Sequence, residues 1–320
     1  MIAELPSYDD LPEAPLGGRS AWGLFGAQDN LGLMNLITPD VTAAAAGLVQ
    51  TGEVISLNAP LDLFDPPLYE RARLVLDTRT SLGGLGVGET YNGFNPQASS
   101  QWDALGHLAY DLDGFYNGVT LDQVLNSGRN TIDHWARKGI ATRGVLLDLE
   151  RTAQGGAGPY SAGASHAFTV DDLERARKAV GIEFRPGDVI VFRTGFITWY
   201  QALTQHERDG LSSFTALKAA GLEHTEEMAR YLWNTHAVAV ASDNPSVEVW
   251  PVDYGDELAP FGFLHRVLIG LFGMGLGELW WLEDLAASCH ADGRFEFFLT
   301  SAPLNTRGGA GSPANALAIR

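Results

Sequence analysis

Residues 97–107 read Gln97-Ala98-Ser99-Ser100-Gln101-Trp102-Asp103-Ala104-Leu105-Gly106-His107. No charged side chain occurs between Glu89 and Asp103. A carboxylate and an imidazole then arrive four residues apart, beside a tryptophan and two glutamines. A carboxylate in uncharged surroundings is expensive to bury without a cation, a metal or several donors. Asp and neutral His at this spacing can converge on one divalent ion or on one proton-transfer path. The spacing alone equally accommodates a capped turn with a structural Asp–His hydrogen bond.

The surrounding chain is that of an ordinary globular protein. It has 320 residues, 45% hydrophobic and 19% charged, enough for one large core or two smaller ones. The formal net charge is −18, with 39 acidic against 21 basic residues. Such a field repels nucleic acid and anionic lipid, so neither is expected as a partner. The single cysteine, Cys289, excludes an internal disulfide framework and a multi-cysteine zinc site. Met1-Ile2-Ala3-Glu4-Leu5-Pro6 shows no basic segment leading into an apolar run, and the longest uncharged apolar run, 267–277, is too short to span a bilayer. A soluble cytoplasmic protein is expected.

Three segments are expected along the chain: an irregular arm over 1–36, packed through the aromatics of 22–25, one domain over 37–305, and a flexible or exchanged Gly/Ala/Pro-rich tail over 306–320. Thr38-Pro39-Asp40 opens a helix over 41–49: threonine as cap, proline in the first turn. A strand follows at 53–58. Residues 59–100, with Pro66-Pro67 and four glycines between 83 and 88, read as loop, either an active-site rim or plain surface. The Asp113-Gly114 and Asn117-Gly118 pairs predict tight turns that hold Phe115 and Tyr116 near the cluster. Apolar strands are expected at 144–149, 189–193, 237–241 and 294–300. Helices are expected at 169–180, 225–233 and 282–289, while 264–271 reads as either. Alternation without repeat or linker predicts a single mixed α/β (α+β) domain. There is no Gly-x-Gly-x-x-Gly after a strand, no Walker loop and no Gly-x-Ser-x-Gly, which removes the nucleotide sites and serine nucleophile those motifs mark.

Two further stretches offer chemistry. Between 258 and 278 the only ionisable side chains are His265 and Arg266, and Glu278 closes the apolar run. If buried there, Glu278 needs a partner: a distant Asp, a metal, or Arg266. Asp243 and Glu248 flank Asn244-Pro245-Ser246-Val247 just after a strand, where ligands of α/β sheets gather; a plain Asx turn fits the pattern as well.

Together these pieces resemble the cyclase family of metal-dependent hydrolases, which includes bacterial kynurenine formamidases and isatin hydrolases. That family carries His-x-Gly-Thr-His-x-Asp-x-x-x-His, followed much later by a His and a Glu. The counterparts here are residues 97–107, then His265-Arg266-Val267-Leu268 and Gly275-Leu276-Gly277-Glu278. Arg143-Gly144-Val145-Leu146-Leu147-Asp148, Pro186-Gly187-Asp188-Val189 and Asp243-Asn244-Pro245-Ser246 lie in the family's order. The Ser-Gln-Trp-Asp form is similar to a longer branch. The resemblance implies a swivelling β/β/α-type fold, a homodimer or homotetramer, and one or two divalent metals. It makes Asp103, His265 and Glu278 ligands and His107 the general acid/base.

The chain departs from the family at Gln97 and Gln101, where the motif has histidines. An amide oxygen is a weaker zinc ligand than imidazole, so Gln101 as fourth ligand moves the set away from tight zinc and towards manganese or a loosely held ion. The expected cofactor is a divalent metal, manganese or zinc. Three readings stay open. One is a metal-dependent hydrolase of a cyclic amide, cyclic ester or N-formyl group, with Trp102, Phe115 and Tyr116 stacking on a small cyclic or aromatic substrate and Gln97 and Asp243 also contacting it. Another is a metal-poor cyclase, dehydratase or lyase. The third is a non-catalytic small-molecule binder.

Overall fold

The computed structural model describes residues 5–112, 114–156, 158–255 and 259–320; Asp113, half of one expected turn pair, lies outside them. Thirteen strands occur among these residues: β1 (Val54–Ser56), β2 (Val75–Ser81), β3 (Gly86–Asn92), β4 (Gln101–Asp103), β5 (Ile140–Asp148), β6 (Ala167–Phe168), β7 (Val189–Arg193), β8 (Gly221–Leu222), β9 (Ala239–Ser242), β10 (Gly275–Glu278), β11 (Glu296–Ser301), β12 (Gly311–Pro313) and β13 (Ala316–Ile319). Nine of them make one sheet in the order β1-β13-β11-β5-β7-β9-β10-β4-β12. Its centre, β5-β7-β9-β10, is parallel, and both wings are antiparallel. The mixed α/β architecture is as expected from sequence.

The parallel centre is buried on both faces, which is why Val145-Leu146-Leu147, Val189-Ile190-Val191-Phe192 and Ala239-Val240-Ala241 carry no polar alternation. Helices on the crossovers cover it. Several start where threonines announce them. Thr38 accepts from the Val41 amide ahead of Pro39–Ala46, Thr169 forms a capping box with Asp172 ahead of Val170–Ala179, and Thr225 accepts from Met228 ahead of Glu226–Asn234. One buried ion pair ties the centre to a wing: Arg143 on β5 donates to both carboxylate oxygens of Asp188, at 2.8 and 2.6 Å, and to Glu296 on β11.

Two expectations are corrected. The segment 306–320 is not a loose tail. β13 lies between β1 and β11, β12 pairs with β4, and Ala314, Ala316 and Ala318 are fully buried. Small alanines at alternate positions fit a crowded two-sided strand, whereas their composition suggests a linker. Within 59–100, the two strands β2 and β3 form an antiparallel hairpin in register from Val75↔Asn92 to Ser81↔Gly86. Nearly every residue on it is exposed, so it shows none of the half-buried alternation that reveals a strand.

Part of the N-terminal segment packs on the domain through an aromatic side chain. The Trp22 indole donates to Gly270 O at 2.7 Å and packs edge-on to Tyr110.

Candidate metal and ring-binding site

The site is built where β4 and β10 run side by side. Their register sets Gln101 opposite Glu278 and Asp103 opposite Leu276. Alternation along β4 places Gln101 and Asp103 on one face and Trp102 on the other. Gly277 faces Trp102 across the pair, and a Cβ there would come within 2.8 Å of Ala241 and the Trp280 ring. At the tail strand β12, a Cβ on Gly311 would lie 2.7 Å from Gln97 Cγ, so this glycine makes room for that side chain.

His265 opens the short helix His265–Leu268. Its Nδ1 is 2.5 Å from Glu248 Oε1, and Glu248 also accepts the Leu264 amide. This leaves Nε2 facing inward, 3.1 Å from Glu278 Oε1 and 3.7 Å from Asp103 Oδ2. A histidine held by a carboxylate through one ring nitrogen while offering the other is the usual support of a metal-ligating imidazole. Donor atoms of Asp103, His265 and Glu278 lie within 4.8 Å of one another, all buried.

The glutamines sit on these carboxylates. Gln101 Nε2 donates to Glu278 Oε2 at 2.5 Å, and Gln97 Nε2 donates to Asp103 Oδ1 and lies 3.2 Å from His107 Nδ1. Asp103 Oδ2, fully buried, has no hydrogen-bond partner. A buried carboxylate oxygen with two imidazole nitrogens near it, at 3.7 and 3.8 Å, but none in hydrogen-bond reach is an open ligand position, and a cation at that point would fill it. The donor set therefore fits a divalent ion held by Asp103, His265 and Glu278; the Gln101 amide, turned over, would add an oxygen.

His107 stands at the rim, its side chain 28% exposed, with Nε2 3.8 Å from Asp103 Oδ2. Burial lowers its proton affinity more than Asp103 restores it, with His265 and Arg71 adding to the depression. His265 behaves oppositely. Burial opposes its protonation, but Glu248, Asp103 and Glu278 outweigh burial and hold its pKa well above the ordinary value. Burial raises the Glu278 carboxyl to about 7, with Asp103 adding to the rise. Burial likewise acts to raise Asp103, and the imidazoles of His107 and His265 overcome it.

Beside the cluster lies a cavity of about 260 Å³ whose lining includes His107, His265 and Glu278 and the rings of Tyr69, Phe214 and Trp250. An engineered cavity of roughly 150 Å³ holds benzene, so this one suits one or two fused rings.

The structure brings together Asp103, His265, Glu278, Gln101, Gln97 and His107. It separates the other expected residues from them. Trp102 is buried against Trp135 and Trp280, with its indole donating to Ser301; strand alternation turns it into the core. Tyr116 is buried with its hydroxyl on Asp29, and neither it nor Phe115 borders the cavity: the 114–118 turn packs on Trp22 of the N-terminal arm. Asp243 accepts from the Thr194, Gly195 and Phe196 amides and the Thr194 hydroxyl, fixing the start of the helix Phe196–Ala202. Four donors hold it at its own anchor, and burial raises its carboxyl to about 7. Sequence reading missed Arg71 and the ring-bearing walls, which come from loops without periodicity. The Glu248 loop was noticed, but its bond to His265 was not.

Comparisons with known proteins place the fold. The Cyclase family model matches residues 42–249, about two-thirds of the chain. A crystal structure described as a novel cyclase superposes with a TM-score of 0.81 at 30% identity, covering 94% of this chain and 99% of its own. Isatin hydrolase A from Labrenzia aggregata, bound to benzyl benzoate, shares the fold at a TM-score of 0.59 and 15% identity, covering 87% of this chain and 96% of its own. An isatin hydrolase bound to the product analogue thioisatinate does so at 0.58 and 14%, covering 89% and 99%. No curated protein matches in sequence. By the family match and the 30% relative, which spans nearly its whole length, the chain belongs to the cyclase family.

Proposed function

We propose that this protein is a metal-dependent hydrolase that opens a small cyclic amide or ester, or removes an N-formyl group, with carbon–nitrogen cleavage favoured. The observation that carries this reading is the convergence of Asp103, His265 and Glu278 around a partnerless Asp103 oxygen, beside a cavity sized for one or two rings. The isatin hydrolases that share the fold are hydrolases by name, which supports hydrolysis here. Asp103, His265 and Glu278 would hold a divalent ion, whose positive charge would polarise a carbonyl and acidify water. The oxygen-rich donor set favours manganese over tightly held zinc.

The chain's own residues do the rest. Glu248 fixes the His265 ring so that Nε2 faces the site. His107 handles the proton at Nε2, the nitrogen nearer Asp103, and its depressed proton affinity keeps the ring neutral near pH 7. Gln97 Nε2, held by Asp103 Oδ1, faces His107 Nδ1, so the neutral ring accepts there and carries its proton on Nε2, ready to give to a leaving group; acting as a base at Nε2 requires the other tautomer.

A second reading is favoured by one observation. The two glutamine amides already donate to the carboxylates, as in a site that works by acid/base chemistry without metal. Elemental analysis of purified protein, with turnover over a panel of cyclic amides, esters and N-formyl arylamines, separates the two. Hydrolysis predicts near-stoichiometric divalent metal that disappears in Asp103→Ala. It also predicts that His107→Ala loses about 10²-fold or more of turnover while keeping its metal and its circular-dichroism spectrum. Active protein free of metal supports the second reading, and near-wild-type turnover by His107→Ala removes the proposed role of that residue.

A further inference from the structure

Arg71 borders the same cavity, and beyond its part in lowering the proton affinity of His107 it has no role in the chemistry above. Its Nη1 donates to two neutral oxygens, the Gln97 carbonyl and, at 3.5 Å, Gln101 Oε1. Among the described residues no carboxylate lies within ion-pair distance of its guanidinium. The nearby acids are engaged elsewhere: Glu248 with His265 and the Leu264 amide, Glu278 with Gln101 and His265, Asp103 Oδ1 with Gln97. A guanidinium offers five donors in a planar fork matched to carboxylate, and this one faces the cavity with most of them uncommitted to any charge.

The local backbone is strained in a way that delivers this side chain. Tyr69 and Glu70 are consecutive non-glycine residues with φ of 59° and 54°, in the left-handed region. Conformations of this kind persist only where their surroundings hold them, and they gather at ligand sites. The holding contacts are the Glu70 amide to Ser212 O at 2.9 Å and the Tyr69 hydroxyl to Pro245 O at 3.1 Å. The result sets the Tyr69 ring 5.0 Å from both Phe214 and Trp250, with the Arg71 guanidinium 5.1 Å from the same ring. Ring wall and cation thus come from one three-residue stretch.

We infer that Arg71 is a carboxylate-recognition residue and that the cavity takes an aromatic or cyclic acid, its ring among Tyr69, Phe214 and Trp250 and its carboxylate on the Arg71 fork. This deepens the reading under "Proposed function" and rests on it for the reaction. When water adds across a cyclic amide, a C–O bond forms and the C–N bond breaks. One proton goes to nitrogen, the other is released, and a carboxylate appears. Arg71 receives that carboxylate, or holds one already on the substrate.

The test is binding. Benzoate and its near-isostere benzamide are titrated calorimetrically into the full-length wild type, Arg71→Ala and Arg71→Lys, as purified. The wild type should prefer benzoate. Arg71→Ala should weaken benzoate about tenfold or more and leave benzamide within about twofold. Arg71→Lys should recover part of the loss, since it keeps the charge without the fork. Wild type that binds acid and amide alike, or binds no benzoate, overturns the inference. So does equal loss of both ligands in Arg71→Ala, which would make Arg71 a scaffold for Gln97 and Gln101. Unchanged benzoate binding in Arg71→Ala, as for a carboxylate held by metal alone, overturns it too. A benzoate preference in a protein without hydrolase turnover would sink the proposed reaction and leave this assignment standing.

Discussion

Gln97 and Gln101 stand where relatives of this chain are expected to have histidines, and the geometry shows what the change does. Each amide donates to a carboxylate of the cluster, relieving negative charge that an imidazole–metal pair would otherwise neutralise. Restoring imidazole should shift metal preference towards zinc. In Gln97→His/Gln101→His, zinc affinity measured by chelator competition should rise about tenfold or more over wild type, with manganese affinity changing less; equal shifts for the two metals would show that residues 97 and 101 do not contact the ion. At this scale Asp103, His265 and Glu278 were legible, because a carboxylate in an uncharged run needs a partner and few other ionisable groups lie near the apolar stretch. Arg71 was not, since it follows Pro66-Pro67 in a segment whose conformation comes from two left-handed residues that no local pattern announces. Trp102 was misassigned because adjacency in sequence to a ligand means the opposite face when the segment is a strand.

Among elements, the strands of the parallel centre and the threonine-capped helices were readable, since continuous apolar runs and caps are local signals. The last strands were not. β12 and β13 are held by what lies beside them: β13 donates and accepts along both β1 and β11, and Arg320 beyond it is 1% exposed, with Nη2 on Asp292 at 2.6 Å and Arg294 O at 2.7 Å. Removing 316–320 would strip β1 of its partner in the sheet and expose one edge of β11. At about 1 kcal/mol for each of several ladder hydrogen bonds, and about 2–4 °C per kcal/mol, the truncated protein should melt roughly 5–10 °C lower, or aggregate through the bared edges. A melting temperature within 1–2 °C of wild type, read by circular dichroism, would mean that the segment is the loose tail its composition suggests. The β2–β3 hairpin escaped notice for the converse reason: a strand exposed on both faces has no buried set to betray its period.

Across the whole molecule two electrostatic facts meet. The net charge of −18 sets up general self-repulsion, and the buried Asp103–Glu278–Glu248 group concentrates three carboxylates around one imidazole. Any salt should therefore raise stability by screening, and divalent cations should do so even without a site. An ion that binds the native fold adds a separate amount, RT ln(1 + [L]/Kd), about 2.7 kcal/mol at a hundredfold excess over Kd. The two contributions are separable. In 0.3 M NaCl, where screening of surface charge is nearly saturated, manganese should still raise the wild-type melting temperature, and EDTA should reverse the rise. Asp103→Asn removes the charge of one of the three ligands, so whatever the stability of its ion-free form, its response to manganese should shrink to that of added salt. A manganese shift of equal size in both proteins would assign the stabilisation to the acidic surface and leave Asp103, His265 and Glu278 without an ion.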